Sequence, residues 1–483
     1  MFNAKLIIKG VKTDARDGST FERLQPVSER VVTRASSATK ADALEAANAA
    51  AAAFPVWSCT PASTRSDILN RAADLVLQRA DEFVEAVAQE IGGSETWARF
   101  NCSIAADIFR HAASLTNFER ETYRKGRDKS VRSTLVRQPV GVVLGIAPWN
   151  APIVLASRAV AIPLACGNTV VLKASELCPK IHSLVIEALN DAGLPPGAAN
   201  LVTNAAEDAG TIVEALVGHA AVRRVNFTGS TRVGRMVAET CARHLKPVVL
   251  ELSGKAPMIV CADADIDEAV RAAAFGAFFN QGQICISTER LVVDTKIADE
   301  FVEKLASRAQ DLRAGDPSDG DFELGSMISA QSAIRVLGLV EDAVEKGAIL
   351  AAGGQSKGTI MQATVLDHVN SSMRIYREES FGPVAAVIRV NGDDEAVSVA
   401  NDTSYGLASS VFSQDIERAH QIALRLETGI CHINGTTVYD DPALPFGGVK
   451  ESGYGKLGGE ETVHEFTELR WISVHETPGE YPI

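Results

Sequence analysis

A thiol, a carboxylate, an amide and a glycine-bearing turn stand at four places in this sequence where strand or helix patterns break. Cys285 lies in Phe279-Asn280-Gln281-Gly282-Gln283-Ile284-Cys285-Ile286, where a helical pattern gives way to a Gly/Gln loop before a strand. A thiol at such a junction can face a cleft and be lowered in pKa by its setting, which would make it a nucleophile. Glu251 ends the apolar run Val248-Val249-Leu250 and precedes Leu252-Ser253-Gly254-Lys255. A partly desolvated carboxylate there can act as a general base, and a salt-bridged strand terminus accounts for the same residues. Asn150 follows Pro148-Trp149 after the strand pattern Val140–Ile146. Its amide can donate to a developing oxyanion or cap the next helix. In Phe227-Thr228-Gly229-Ser230-Thr231-Arg232-Val233-Gly234 a strand runs through a turn into a helix. Backbone N–H groups there could face a pyrophosphate, but GxGxxG is absent and a plain tight turn fits as well.

The other seven cysteines, at 59, 102, 166, 178, 241, 261 and 431, sit in apolar or ordinary surroundings that suit small buried hydrophobes. The absence of any CxxC pair argues against a disulfide framework and a zinc site, so no metal is expected, and a reducing cytoplasm is. The 483 residues carry 47 basic and 61 acidic side chains, a net charge of −14. Such a chain has no general attraction for nucleic acid or anionic lipid, so neither is expected as a partner. No apolar run reaches the ~18 residues of a membrane span. The start holds only Leu6-Ile7-Ile8, too short for a signal-peptide core.

The elements that must position these groups alternate. Helices are predicted over 41–54 and 65–91. From residue 138 the strand patterns Val140–Ile146, Thr169–Lys173, Ala199–Val202 and Val222–Phe227 are separated by helical stretches, and 247–252 and 257–261 continue the strand sense. Strands alternating with helices of this length imply βαβ units and a parallel sheet. A second such stretch runs from Asp265 to about Ile430, with helices over 267–280, 297–313 and 330–346 and strands over 290–294 and 384–390. The segments Tyr123–Val136 and Phe466–Val474 read as strands with no obvious partner nearby. They suit either an arm that pairs elsewhere or a surface hairpin.

Taken together, these groups resemble the NAD(P)-dependent aldehyde dehydrogenase superfamily along nearly the whole chain. The matching strings are Ala147-Pro148-Trp149-Asn150, Leu172-Lys173-Ala174-Ser175-Glu176, Phe227-Thr228-Gly229-Ser230-Thr231, Glu251-Leu252-Ser253-Gly254-Lys255 and Gly282-Gln283-Ile284-Cys285. Glu378-Glu379-Ser380-Phe381-Gly382-Pro383, Asn434-Gly435 and Pro445-Phe446-Gly447-Gly448-Val449-Lys450 follow in the family's order. The resemblance implies an α/β fold with a Rossmann-type cofactor domain (1–122 and 137–250), an α/β catalytic domain (251–465) and a small β oligomerisation arm (123–136 and 466–483). It implies a homodimer or homotetramer.

The same resemblance makes Cys285 the nucleophile, Asn150 an oxyanion donor and Glu251 the base that activates water on a thioester. It places Trp149, Lys173, Ser175, Glu176, Gly229, Ser230, Glu379 and Phe381 around the cofactor. A carboxylate at Glu176 accepts from a ribose 2′-hydroxyl and repels a 2′-phosphate, so NAD is favoured over NADP. Two departures stand out. Ser253 occupies the third place of the usual Glu-Leu-Gly-Gly-Lys, and Gly325-Ser326 replaces a common Gly-Pro.

Longer strings, such as Gly145–Pro152, Met373–Glu379 and Cys431–Gly435 with the terminal Tyr481-Pro482-Ile483, resemble the vanillin, benzaldehyde and salicylaldehyde dehydrogenase branch. An aromatic aldehyde is therefore the expected substrate. Ile284 and Ile286 flank the thiol and offer apolar walls to a flat ring. Arg158, eight residues past Asn150, could share its helical face and meet a phenolic or methoxy oxygen, stack on the ring, or serve a structural ion pair. Trp97 and Tyr439 are candidate pocket aromatics, against a core Trp and a surface Tyr. A coenzyme-A-acylating enzyme generally lacks the base, so Glu251 speaks against it. A semialdehyde or aliphatic aldehyde oxidiser stays open, as does a non-catalytic protein on this fold.

Overall fold

In the computed structural model, residues 1–126, 130–477, 481 and 483 are described. Residues 127–129, 478–480 and Pro482, which fall within the expected arm and the terminal string, lie outside them.

Two parallel-cored sheets carry the chain. The first has eight strands in the order Gly453–Tyr454, Val248–Glu251, Val222–Thr228, Val142–Ile146, Thr169–Lys173, Ala199–Val202, Leu6–Ile8 and Val11–Thr13. The five strands from Val248–Glu251 to Ala199–Val202 pair in parallel, so their C-terminal ends share one edge. Of these, Val142–Ile146, Thr169–Lys173 and Ala199–Val202 are buried throughout because helices cover both faces. One of the covering helices, Pro152–Ala165, is buried along its whole length and is apolar all round apart from Ser157 and Arg158. Gly453–Tyr454 joins this sheet antiparallel to Val248–Glu251, although it lies inside the 251–465 segment.

The second sheet has seven strands: Ile349–Ala352, Thr364–Asp367, Val384–Val390, Thr288–Asp294, Ala256–Val260, Ala408–Phe412 and Ile430–Ile433. All but the first pair in parallel. A third sheet lies outside both. Thr467–His475 pairs antiparallel with Val131–Pro139 over nine residues, and Glu121–Lys125 flanks the latter. The two segments that lack neighbours in sequence therefore partner each other.

Several elements differ from the sequence reading. The single helix over 65–91 is two, Ala62–Gln78 and Ala80–Ile91, divided at Arg79, whose ψ of 18° leaves the helical region. The second ends on Gly92 in the left-handed region, φ 66°. The helix expected over 267–280 stops at Phe278, because Phe279 turns to an extended ψ of 137°, and Asn280 and Gln281 follow with left-handed φ of 48° and 55°. The helix Glu95–Ser114 and the three-stranded sheet of Phe2–Ala4, Val31–Ser36 and Thr20–Leu24 were not anticipated. Among the described residues, no helix is long and apolar enough to cross a membrane.

Candidate active site

The chemistry-bearing groups gather at the C-terminal edge of the first sheet, where open parallel sheets form their binding crevice. The strand Val142–Ile146 leads to Trp149 and Asn150, Thr169–Lys173 to Ser175 and Glu176, Val222–Thr228 to Gly229 and Ser230, and Val248–Glu251 ends on Glu251 itself. Cys285 comes from the second sheet's side, in the loop between Phe279–Gly282 and Thr288–Asp294.

Asn150 does not cap the helix after it. The cap position of Pro152–Ala165 is Ala151. The Asn150 carbonyl accepts from Trp97 Nε1 at 3.2 Å and Asn280 Nδ2 at 3.1 Å, which fixes its backbone. Its side-chain amide has no hydrogen-bond partner among the described residues, so it is available to a ligand. Ser230 does cap a helix, Thr231–Arg243, accepting from the Val233 N–H at 3.4 Å. The Gly229 N–H is spent on the Glu251 carbonyl at 3.0 Å, while Gly229 and Ser230 line a cavity at the N-terminus of this helix, where an anion is favoured. These features fit the pyrophosphate of a dinucleotide.

Glu251 is buried and forms no salt bridge among the described residues, so it is no ion-paired strand end. Its Oε1 is buried without a partner. The rest of the carboxyl meets the Cys285 thiol. Burial pushes Glu251 up to about 7, against the opposing effects of the thiol hydrogen bond and Arg158. The thiol departs from the expected lowering. Burial raises it well above its usual value, and the Glu251 charge adds to the rise. The strand junction does expose Cys285 to a cleft, but the carboxylate folded against it favours the protonated form.

The turn after Glu251 closes tightly on the thiol loop. A Cβ at Gly254 would lie 2.3 Å from the Cys285 carbonyl oxygen. The Gly254 N–H donates to Glu379 Oε1 at 3.1 Å, and the Ser253 side chain also hydrogen-bonds that carboxyl. Burial, with Glu289 nearby, pushes Glu379 up to about 7. Glu289 is itself paired with Lys255 at 2.7 Å in the interior and accepts from the Phe381 N–H at 3.0 Å. Phe381 meets Trp149 edge-on at 5.8 Å. The other departure also braces the thiol loop. Ser326 donates its N–H to the Gly92 carbonyl at 2.9 Å, a bond proline could not make. The Gln283 side chain accepts from the Ile328 N–H at 2.9 Å.

Two cavities open from this point. One is lined by Trp149, Asn150, Gly229, Ser230, Glu251, Ser253, Cys285, Glu379 and Phe381, together with Arg335. Lys173, Ser175 and Glu176 lie outside it, farther along the sheet edge, with Lys173 Nζ 3.9 Å from Glu176. Burial lowers the Lys173 ammonium. The other cavity is lined by Trp97, Arg158, Ile284, Ile286 and Tyr439. Among the described residues, only Asn150 and Cys285 line both.

The second cavity brings together residues that the sequence reading singled out and others that it missed. Trp97 is buried, stacked on Phe100 at 5.8 Å, and spends its indole N–H on Asn150. Tyr439 is 54% exposed and stands at the rim, edge-on to His432. Arg158 is buried, ion-paired with Asp440 at 2.6 Å, and lies over the Phe446 ring at 4.4 Å. Phe100, Ile104, Val154, Leu155 and Asp440 went unread, and Phe446 was read only within the string Pro445–Lys450. The 97/100/104 spacing along one helix could have shown the first two, had the helix Glu95–Ser114 been recognised.

The aldehyde dehydrogenase family description matches residues 13–472. A vanillin dehydrogenase from Pseudomonas fluorescens is 53% identical over 483 residues, covering all of both chains. A salicylaldehyde dehydrogenase from Pseudomonas sp. (strain C18) is 48% identical over 480 residues, covering 99% of each. The crystal structure of a salicylaldehyde dehydrogenase from Pseudomonas putida G7 complexed with salicylaldehyde superposes with a TM-score of 0.98 at 46% identity, again over all of both chains.

Proposed function

Since the chain belongs to the aldehyde dehydrogenase family and is an oxidoreductase acting on aldehydes, we propose that it oxidises aromatic aldehydes of the vanillin, salicylaldehyde or benzaldehyde type to carboxylic acids, with NAD preferred over NADP. The observation that carries this reading is the position of Cys285 and Asn150, the two described residues common to a cofactor-side cavity that holds Glu251, Ser253 and Glu379 and a largely apolar second one.

Cys285 gives up its thiol proton to solvent, and the sulfur attacks the aldehyde carbon to form a thiohemiacetal. The Asn150 amide and the Cys285 backbone N–H hold the oxyanion. When bound, NAD(P) supplies the acceptor for the hydride that leaves this carbon, and a thioester remains on Cys285. Glu251 then takes a proton from water. The resulting hydroxide adds to the thioester, the carbon–sulfur bond breaks, and the acid leaves with the thiol restored. Sulfur suits both halves, as a strong nucleophile first and a good leaving group later.

On the cofactor side, Ser230 and Gly229 face the pyrophosphate, Glu379 and Phe381 position the nicotinamide ribose and ring, and Trp149 packs beside them. Lys173, Ser175 and Glu176 meet the adenine-side ribose, where the Glu176 carboxylate disfavours a 2′-phosphate. The division into a cofactor domain, a catalytic domain and an arm belongs to the same reading. The two sheets support it, with Gly453–Tyr454 reaching back to the first. The arm strand Thr467–His475 exposes Leu469, Trp471, Ile472 and Val474, which supports a homodimer or homotetramer built across it. All eight cysteines are free, which supports a reducing cytoplasm.

Initial rates of NADH or NADPH formation with vanillin, salicylaldehyde, benzaldehyde and a short aliphatic aldehyde test the reading. Ring aldehydes with NAD are expected to lead. An aliphatic preference would remove the aromatic assignment, and equal efficiency with NADP would remove the role given to Glu176.

A further inference from the structure

One buried imidazole behind the cofactor edge of the first sheet takes no part in the steps above. His182 lies in the first turn of the helix Pro179–Asp191 and is wholly buried. Burial, with the Lys173 charge adding to it, pushes His182 down to about 3, so the ring is neutral. Its Nδ1 accepts from the Ser175 N–H at 3.2 Å, which leaves the ring proton on Nε2. Nε2 lies 3.4 Å from Cys178 Sγ, and the Pro148 and Pro152 carbonyls face the ring. Cys178 Sγ in turn reaches the Pro148 carbonyl at 3.9 Å. The helix that carries His182 is itself pinned, because the Glu90 carboxyl accepts from the N–H groups of Lys180 and Ile181 at 3.0 and 3.1 Å. One imidazole therefore bridges the turns 174–176 and 148–150, which leave two paired strands, Thr169–Lys173 and Val142–Ile146.

We propose that His182 is a positioning residue for the reaction, its Nδ1 holding the adenine-side cofactor turn and its Nε2 side holding the turn that carries Asn150. This rests on the roles given above to Lys173, Glu176 and Asn150, and it adds the group that sets the two turns against each other. The adenine-side ribose meets one turn and the oxyanion meets the other. A slip at Ser175 weakens the hold on the cofactor, whereas a slip at Pro148 displaces the amide two residues on and slows the chemical step. A buried Ser175 N–H without its acceptor carries a desolvation cost, which drives the first slip.

The two ring nitrogens can be replaced one at a time. In His182→Asn the amide oxygen takes the place of Nδ1, and nothing reaches the place of Nε2. In His182→Gln the amide nitrogen takes the place of Nε2, and the Ser175 N–H loses its acceptor. Two constants are measured with benzaldehyde: KM for NAD, and the single-turnover rate of NADH formation at saturating NAD. His182→Asn should keep KM within about two-fold of the wild type and slow the single turnover by about ten-fold. His182→Gln should do the reverse, with KM raised about ten-fold and the rate within about three-fold. His182→Leu should show both losses. A merely structural role would lower the melting temperature of all three without separating KM from the rate. Asparagine and glutamine variants that move the two constants in parallel, move neither, or show the split reversed overturn the proposal, and they decide it even if His182→Leu does not fold. Glu176→Ala tests the reading beneath. An unchanged KM for NAD in that variant would count against the adenine-side placement, whereas a KM raised there and unchanged in His182→Gln counts against His182 alone.

Discussion

Glu251 and Cys285, 34 positions apart in sequence, meet carboxyl to thiol in a buried pocket, and the meeting holds the thiol protonated. The carboxylate raises the thiol through its charge and its hydrogen bond, on top of burial. Removing that charge should release the thiolate. Glu251→Gln is expected to raise the iodoacetamide alkylation rate of Cys285 at pH 7.5 by about ten-fold for each pKa unit recovered, while the exposed Cys59 reacts at an unchanged rate. Peptide mass spectrometry reads both sites in one experiment. Slower alkylation at Cys285 would mean that Glu251 activates the thiol instead of restraining it.

The same substitution separates the two halves of the reaction. With the base gone, hydride transfer should proceed once and the thioester should persist. Rapid mixing should show a burst approaching one NADH per active site, followed by a steady rate lower by about 10²–10⁴-fold. Because Glu251 sits near 7, its base form fills as pH rises, so wild-type deacylation should climb through about pH 7 and level off above it. That limb should vanish in Glu251→Gln. A variant that turned over at the wild-type steady rate would remove Glu251 from the mechanism.

Burial of this carboxylate has a stability consequence of definite sign. Its folded pKa of about 7 lies above the ordinary 4.5, so between those values the folded state holds more protons than the unfolded chain. The stability contribution is therefore present at low pH and lost as pH rises through that window, the reverse of a salt-bridged acid. Glu251→Gln, which needs no proton, should be more stable than the wild type at pH 8 by on the order of 1–3 kcal/mol. The difference should fade toward pH 5. Thermal melts at the two pH values check it, and an equal or lower melting temperature for the variant at pH 8 would contradict the buried, unpaired state of Glu251.

What the sequence revealed depended on whether a group's setting is local. Asn150, Glu251 and Ser230 each follow a strand whose apolar run is visible, so their place at one sheet edge follows from the βαβ alternation. Cys285 was legible as a loop thiol, but the sign of its pKa shift was not. Burial and a carboxylate from another strand set that sign, and neither belongs to its own neighbourhood. The second cavity hid for the same reason. Phe100 comes from one helix and Asp440 and Phe446 from a single loop far along the chain, and the helix carrying Phe100 went unread. Arg158 was singled out by its spacing from Asn150, yet only the fold shows it committed to Asp440.

Ser253 and Gly254 are neighbours with opposite tolerance. At Gly254 an added Cβ would lie 2.3 Å from the Cys285 carbonyl oxygen, a backbone atom that cannot swing aside. Gly254→Ala must therefore move the loop that carries the thiol, and a displacement of an ångström at a reacting atom costs about 10²-fold in rate. At Ser253 the hydroxyl contributes one hydrogen bond to the Glu379 carboxyl, while the Gly254 N–H keeps its own bond at 3.1 Å. Ser253→Gly restores the motif common in the family and loses only that bond, so KM for NAD should rise by about three- to ten-fold with kcat within two-fold. Steady-state kinetics on the two variants discriminate. Gly254→Ala with kcat near that of the wild type would show that the turn does not hold the thiol. An unchanged KM in Ser253→Gly would show that the hydroxyl does not hold Glu379 for the cofactor.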